Sequence, residues 1–324
     1  MPPAPTAESV AHSNIAVVKY WGKRDVALNL PAVSSLSLTL DRFTTTTRVT
    51  WGADQDQVRL NGEPAPDGFA TRALAHLDRL DSDRPRARVD THNDFPTAAG
   101  LASSASGFAA LTLAALAASG RSMDLREASV LARQGSGSAC RSLWGGWVRW
   151  DRGERADGAD SHGVPVADAG HWDVAMVVAV VSAQKKAVGS TAGMTRTAQT
   201  SPYYPAWVDT AEADVVEGEA AVRARDLERL GRVMESSTYK MHATMHTTDP
   251  PILYWQPATV AVLHEVAALR ARGIGAWATM DAGPNVKVLC ARSDADAVRD
   301  ALSPLVDRVR VLGPGGPATV RLLP

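Results

Sequence analysis

The sequence predicts an α+β fold of two domains. Strand-like and helix-like stretches are mixed without regular βαβ alternation. The chain has 324 residues, above the ~250–300 at which single cores usually split. A content of 45% hydrophobic and 21% charged residues is that of a folded globular chain. The formal net charge of −1 supplies no global positive field, so neither a nucleic acid nor a membrane is expected as a partner. Any anionic ligand must be met by a local cluster of cations. No segment approaches the ~20 apolar residues of a membrane span. The opening MPPAPTAESV lacks the layout of a secretory signal. Cys140 and Cys290 are too few for a disulfide scaffold, so a reduced, cytoplasmic setting is expected.

The elements follow in order. Ile15 and Val17 read as an apolar strand running into Lys19. Residues 35–40 and 44–51, Thr-rich and β-branched, predict two strands, and Asn61-Gly62 a hairpin turn. Phe69, Ala73, Leu77 and Leu80 have helical spacing, and 86–91 alternates like a strand. The Gly/Ser-rich stretch 96–106 leads into an Ala/Leu-rich helix through Ala118, and Asp124 with Glu127 opens a helix over 125–134. Residues 152–170 lack periodicity and read as an exposed excursion; 172–182 read as a buried strand and 211–236 as one long helix. Residues 257–272, with Pro near the first turn and Gly273 past the end, predict a helix. Strands at 276–280 and 286–291, a helix at 295–302 and a strand at 309–312 complete the chain. A boundary near residue 180 is expected, giving domains of 1–180 and 181–324.

Four segments carry chemistry, each beside a plainer reading. PTAAGLASSASG (96–107) places small residues at a helix start, where backbone N–H groups and the helix dipole favour an anion. Ser103 and Ser104 could add hydroxyls to a phosphate or Mg²⁺. The alternative is a tight turn that packs a helix on a sheet, and no Walker A Lys follows. GSGSACRSL (135–143) offers Ser136, Ser138 and Arg141, a guanidinium able to fork a carboxylate, but it reads equally well as structural. Lys19 and Lys23, four apart, usually mark a solvated face; yet the chain has only six lysines, and an apolar strand runs into this pair. Lys185-Lys186 follows a buried strand in the same way. Asp281, in MDAGPN (280–285), is either a catalytic carboxylate or an Asx-turn cap. His242 and His246 lack the Glu of a zinc-protease motif, and nothing singles out Cys140 as a nucleophile.

Together these segments resemble the GHMP small-molecule kinases, whose phosphate loop P-x-x-x-G-L-x-S-S-A matches 96–105. More specifically, NIAVVKYWGK (14–23), FPTAAGLASSASG (95–107), GSGSACRSL (135–143), KKAVGSTAGM (185–194) and MDAGPN (280–285) resemble the diphosphomevalonate decarboxylases, in the same order. MHATMHTTDPPILYW (241–255) is similar to that family as well. Residues 152–170 and Val188-Gly189 depart from it.

The resemblance implies a two-domain GHMP kinase fold with the site in the cleft, and a homodimer. It implies ATP- and Mg²⁺-dependent conversion of (R)-5-diphosphomevalonate to isopentenyl diphosphate, CO₂, phosphate and ADP. Asp281, Lys19 and Arg141 would then be catalytic. Asn14, Tyr20, Lys23, Ser136, Ser138, Lys186 and Ser190 would bind substrate. Gly100, Leu101, Ala102, Ser103 and Ser104 would hold the nucleotide, with Ser104 on the metal. The rivals are a decarboxylase of the 5-monophosphate, a kinase that stops at phosphorylation, and a non-catalytic binding protein.

Overall fold

The computed structural model describes residues 5–95, 103–122, 124–184 and 186–324. The chain opens with β1 (Thr6–Val18), in which buried and half-buried residues alternate as far as His12 and every residue is buried from Ser13 on. That change marks where the second half of the chain covers the other face of the sheet. A small ribbon, β2 (Lys23–Asp25) with β3 (Leu30–Pro31), precedes the 17-residue strand β4 (Ser35–Trp51). Two strands were expected here. The expected break is a bulge instead: His12 pairs with Thr44 and Asn14 with Thr39, so Ser13 opposes four residues that include Phe43 at φ 66°.

Next come β5 (Gln57–Leu60) and β6 (Glu63–Pro64), turned by Asn61 and Gly62. Helix α1 (Asp67–Leu80) carries the chain over to β7 (Ala87–Asn93), which lies parallel to β5. Helix α2 (Ser103–Ala118) is followed by α3 (Leu125–Gly135), whose Asp124 cap accepts the Glu127 N–H. Two strands, β8 (Trp147–Trp150) and β9 (Gly163–Ala167), pair with each other. The expectation of an exposed excursion over 152–170 is therefore corrected: its second half is a strand. The loop before it is tied down by the buried Arg133, whose Nη1 donates to Gly158 O at 2.6 Å.

The second half begins with β10 (Val174–Val180) and α4 (Ser190–Thr200). Two helices follow, α5 (Tyr204–Ala224) and α6 (Leu227–His246), where the periodicity predicted one. The break falls at Arg225, left-handed at φ 57°, and at Asp226, whose side chain caps α6 by accepting from Arg229 N. An apolar period that continues across the junction hides such a break. Then come α7 (Pro257–Ala271), β11 (Ala276–Met280), β12 (Val286–Ala291), α8 (Ala295–Leu302), β13 (Arg308–Leu312) and β14 (Thr319–Leu323).

Among the described residues the strands form two large sheets. One runs β14-β1-β4-β7-β5-β6, with β8 and β9 branching from β4; the other is the antiparallel β11-β12-β10-β13. The last strand thus returns to the first sheet, Leu323 opposite Thr6. Between the sheets, Ile15, Leu36 and Leu38 share one buried cluster with Val178, Val215, Met234 and Leu289. Each such side chain contributes about 1.5–3 kcal/mol. This apolar interface packs the two halves against each other and sets where the residues that project between them lie. No helix among the described residues is long and apolar enough to cross a membrane.

Candidate active site

Strand β1 ends by delivering Lys19 into the space between the sheets, against α6 and the end of β11. Its backbone N–H donates to Ser237 Oγ of α6 at 2.9 Å. Its ammonium donates to Ala16 O at 2.8 Å and to Asp281 Oδ1 at 2.8 Å. Asp281 follows β11 directly, and its other oxygen, Oδ2, accepts from Lys287 of β12 at 2.9 Å. Both lysine side chains are buried, at 1% and 2% exposure, whereas Asp281 keeps 33% of its surface open. The carboxylate caps no backbone N–H of its own turn among the described residues; the turn is made by Gly283 N–H on Asp281 O. The Asx-cap alternative is thereby removed.

The electrostatics follow from that clamp. Burial pushes the Lys19 ammonium down to about 8; Asp281 partly restores it, and the like charge of Lys287 opposes it. Burial alone would raise the Asp281 carboxyl, but the charges and hydrogen bonds of Lys19 and Lys287 outweigh it and hold the group well below the usual carboxylate range. Asp281 is thus a fixed anion, and a weak base.

Arg141 ends the 3₁₀ turn 137–141 and is 2% exposed. Its Nε donates to Asn14 Oδ1 at 3.1 Å and its Nη1 to Ser35 Oγ at 2.6 Å, while the guanidinium lies 5.7 Å from the Trp150 ring. Asn14 is itself oriented: its Nδ2 donates to Ser142 Oγ at 2.8 Å and to Ser138 O at 3.1 Å. Burial lowers the Arg141 pKa, and the Asp281 charge raises it, so the two groups sit within one field.

Tyr20 packs edge-on against Trp150 at 4.6 Å, and its buried hydroxyl has no hydrogen-bond partner among the described residues. A buried unsatisfied hydroxyl in a cleft is a place for a ligand atom. Gly137 makes room for this pair, since a Cβ there would come 2.7 Å from Trp150 and 3.2 Å from the Tyr20 oxygen. Lys186 donates to Ser190 Oγ at 2.7 Å and to Ala282 O at 2.9 Å, beside Asp281. Half-buried Lys23 lies near Arg72 of α1, which stacks 5.1 Å from the Phe108 ring. Burial lowers Lys23, and the charge of the exposed Arg72 lowers it further. Lys23, Arg72 and Lys186 form no ion pair with a carboxylate among the described residues.

Gly100, Leu101 and Ala102 lie outside the described residues, as does Lys185. Ser103 begins α2, and the exposed Ser104 accepts from Ser136 Oγ at 3.3 Å. Ser136 opens the turn that ends in Arg141, so the start of α2 and the guanidinium are joined by one short segment. Ser106 fixes that helix start to the sheet through Thr45, at 2.7 Å.

Sequence reasoning missed Arg72, Ser35 and Ser237, and counted Lys287 among the scarce lysines without giving it a role. Lys287 had a signal, a lone lysine inside the apolar run VKVLCA. Arg72 had none, since one arginine on an amphipathic helix looks like any other. The set-aside residues stay outside the chemistry. His242 accepts from Trp255 Nε1 at 2.9 Å, and burial pushes it down to about 3. Burial pushes the Cys140 thiol up to about 12.

Cations gathered around one clamped carboxylate where the two sheets meet, on this topology, define a GHMP-type enzyme that handles phosphorylated small molecules. The model of the diphosphomevalonate decarboxylase-like N-terminal domain matches residues 11–163, and that of the mevalonate 5-diphosphate decarboxylase C-terminal domain matches 176–310. The chain belongs to the diphosphomevalonate decarboxylase family. It is 40% identical over 316 residues to the diphosphomevalonate decarboxylase of Gibberella zeae, covering 90% of this chain and 82% of that one. The human diphosphomevalonate decarboxylase is 38% identical over 310 residues, covering 88% and 77%. The mevalonate diphosphate decarboxylase of Staphylococcus aureus superposes with a TM-score of 0.92 at 36% identity, over 98% of each chain. A structure described as MDDEF in complex with MVAPP, AMPPCP and magnesium also gives 0.92, at 37% identity over 98% and 99% of the two chains.

Proposed function

We infer that this protein is an ATP-dependent decarboxylase that converts (R)-5-diphosphomevalonate to isopentenyl diphosphate, CO₂, phosphate and ADP. The observation that carries the reading is Asp281, bonded by an ammonium on each oxygen and open on a third of its surface, within the field of Arg141. A simple kinase needs the cations but has no use for a buried guanidinium with N–H groups left for a substrate carboxylate.

Hydroxide leaves a tertiary carbon poorly, so the 3-hydroxyl is phosphorylated first. Phosphate then departs with its electron pair as the C1–C2 bond breaks, and CO₂ and the alkene form. Transfer of the phosphoryl group is mostly positioning and charge neutralisation. Lys19 meets the transferring group, and Asp281 accepts the hydrogen bond of the 3-hydroxyl. Because its basicity is so depressed, Asp281 contributes by orientation and by favouring positive charge at C3, while the hydroxyl proton passes on to a phosphate oxygen and then to water. Arg141 orients the substrate carboxylate through Nη2, which has no partner among the described residues, and the remaining hydrogen of Nη1. The carboxylate loses its charge as CO₂ forms, so a tight ion pair favours the ground state; Arg141 therefore acts by aligning the C1–C2 bond.

We assign the diphosphate to Lys23, Arg72 and Lys186, with Tyr20, Ser138 and Ser190 as hydroxyl donors. The nucleotide phosphates fall to Ser103, Ser104 and the loop before them, with Ser136 beside them. The described residues hold no cluster of three or more His, Cys, Asp or Glu that could bind a metal. Ser104 would be the protein ligand of Mg²⁺. When bound, the ion neutralises charge on the nucleotide phosphates.

We also propose a homodimer, a cytoplasmic setting in which the buried Cys140 and Cys290 stay reduced, and a division of the chain near residue 180 with β14 lent back to the first sheet. Parallel assays of ADP and CO₂ release on 5-diphosphomevalonate, the 5-monophosphate and mevalonate test the reaction. Equal release of both products on the diphosphate is expected. ADP without CO₂ would make it a kinase, and a preference for the monophosphate would reassign the substrate.

A further inference from the structure

The proposed reaction occupies Asp281 and Lys19 but leaves Lys287 without a task. Lys287 lies on β12, opposite Thr279 of β11 and Val178 of β10, with Val286 and Val288 on either side in the strand. All four neighbours are buried. A lysine on an inner strand of a sheet, 1% exposed, is costly to desolvate, and its one polar contact among the described residues is Asp281 Oδ2. Were the ammonium there for stability alone, an apolar side chain of similar volume would serve as well or better, because Lys19 already pairs with the carboxylate.

The second ammonium adds two things that the first cannot. A carboxylate held at one oxygen can swing about that contact, whereas one held at both has a fixed plane, with a third of its surface still open. Lys287 also shares the Asp281 charge, so Lys19 is not wholly neutralised by it. The groups that face the Lys19 ammonium are Asp281, Lys287, Arg141 of the 3₁₀ turn and His242 of α6. Only Asp281 among them is an anion.

Resting on the decarboxylase reading, we propose that Lys287 is a positioning residue. It pins the second oxygen of Asp281 and takes up part of its charge, so that Asp281 points at the 3-hydroxyl and Lys19 remains free to meet the transferring phosphoryl group.

The test compares Lys287→Met and Lys287→Gln with the parent, using Mg-ATP and 5-diphosphomevalonate, with thermal melts to establish folding. In a folded variant kcat should fall by about 10–100-fold, as for a misaligned catalytic group, with KM for both substrates within about threefold of the parent. The alkaline limb of kcat/KM should move to higher pH, because Lys19 loses a like-charged neighbour and gains the whole of Asp281. A merely structural role does not move that limb. The inference is overturned by kcat within threefold of the parent, or by a limb that stays in place whatever the loss of rate. It is equally overturned if neither variant folds, since Lys287 would then be a structural residue. A parent that does not turn over 5-diphosphomevalonate would be a failure of the underlying reaction, seen before any variant is made.

Discussion

The Nε of Arg141 donates to Asn14 Oδ1 at 3.1 Å, so the guanidinium assigned to the substrate carboxylate takes its direction from the strand that also delivers Lys19. The two groups come from distant parts of the chain, yet one strand sets both. Replacing Arg141 with Lys should therefore do more than shorten a side chain. A single ammonium cannot donate to Asn14, Ser35 and a carboxylate in the same plane. Loss of two hydrogen bonds to a charged group, at about 1.5 kcal/mol or more each, predicts at least a ~100-fold fall in kcat/KM. Steady-state rates near the parent's would show that the carboxylate is held elsewhere.

Asp281→Asn should fold and bind ATP within about threefold of the parent, measured by calorimetry, while turnover falls by ~1,000-fold or more. It should also melt lower, because two buried ammonium groups lose their shared anion, at a cost of about 3 kcal/mol. The loss should shrink as pH rises. A buried lysine whose folded pKa lies below its unfolded value destabilises while protonated, and that penalty fades as it deprotonates in the folded state. Melts at pH 7 and pH 9 check the sign; a deficit that grows with pH would contradict it.

Activity of the parent should carry the mark of Lys19. Its ammonium, lowered by burial to about 8, is needed protonated to meet the phosphoryl group. So kcat/KM should fall as pH rises through that region. Asp281 is depressed well below the usual carboxylate range and stays ionised to far lower pH, so it sets no limb near neutrality. A profile flat from pH 6 to 10 would remove Lys19 from the chemistry.

Arg72→Ala and Lys23→Ala should raise KM for the diphosphate substrate by about 10–100-fold, through loss of charge-assisted hydrogen bonds, and leave kcat within about fivefold. The penalty should be smaller on the 5-monophosphate. Equal penalties on both substrates would place these cations away from the terminal phosphate.

Gly22 has φ +98°, and a Cβ there would lie 2.0 Å from the Tyr204 hydroxyl. Gly22→Ala should cost about 1–3 kcal/mol from backbone strain, and more from that collision, lowering Tm by several degrees. Tyr204→Phe in the same chain should recover part of the loss by removing the colliding oxygen.

Much of the site was legible because its motifs are local. The ends of strands and the Gly/Ser turns announce themselves by residue type, and Asp281, Lys19 and Arg141 stood out there. The helices α3 and α7 were readable from the signals at their ends, and α2 from its Ala/Leu-rich run. Where reading failed, the cause was equally specific. The α5–α6 break is hidden because the apolar period runs across Arg225. Strand β9 could not be read because its partner β8 and the buried Arg133, not its own alternation, make it a strand. The return of β14 to β1 joins opposite ends of the chain, and no local pattern records such a pairing.

By itself the sequence determined the kinds of groups available: a carboxylate after a strand, a guanidinium after a serine turn, and a handful of lysines in an arginine-rich chain. Periodicity and turn chemistry act over a few residues, so element types and motif positions follow from them. Only the tertiary structure decided that Asp281 is bonded at both oxygens, that the second bond comes from Lys287, and that Arg72 stands beside Lys23. Those relationships depend on which sheet faces which, set by apolar burial summed over the whole interface, and a carboxylate's chemistry depends on the charges within a few ångströms of it.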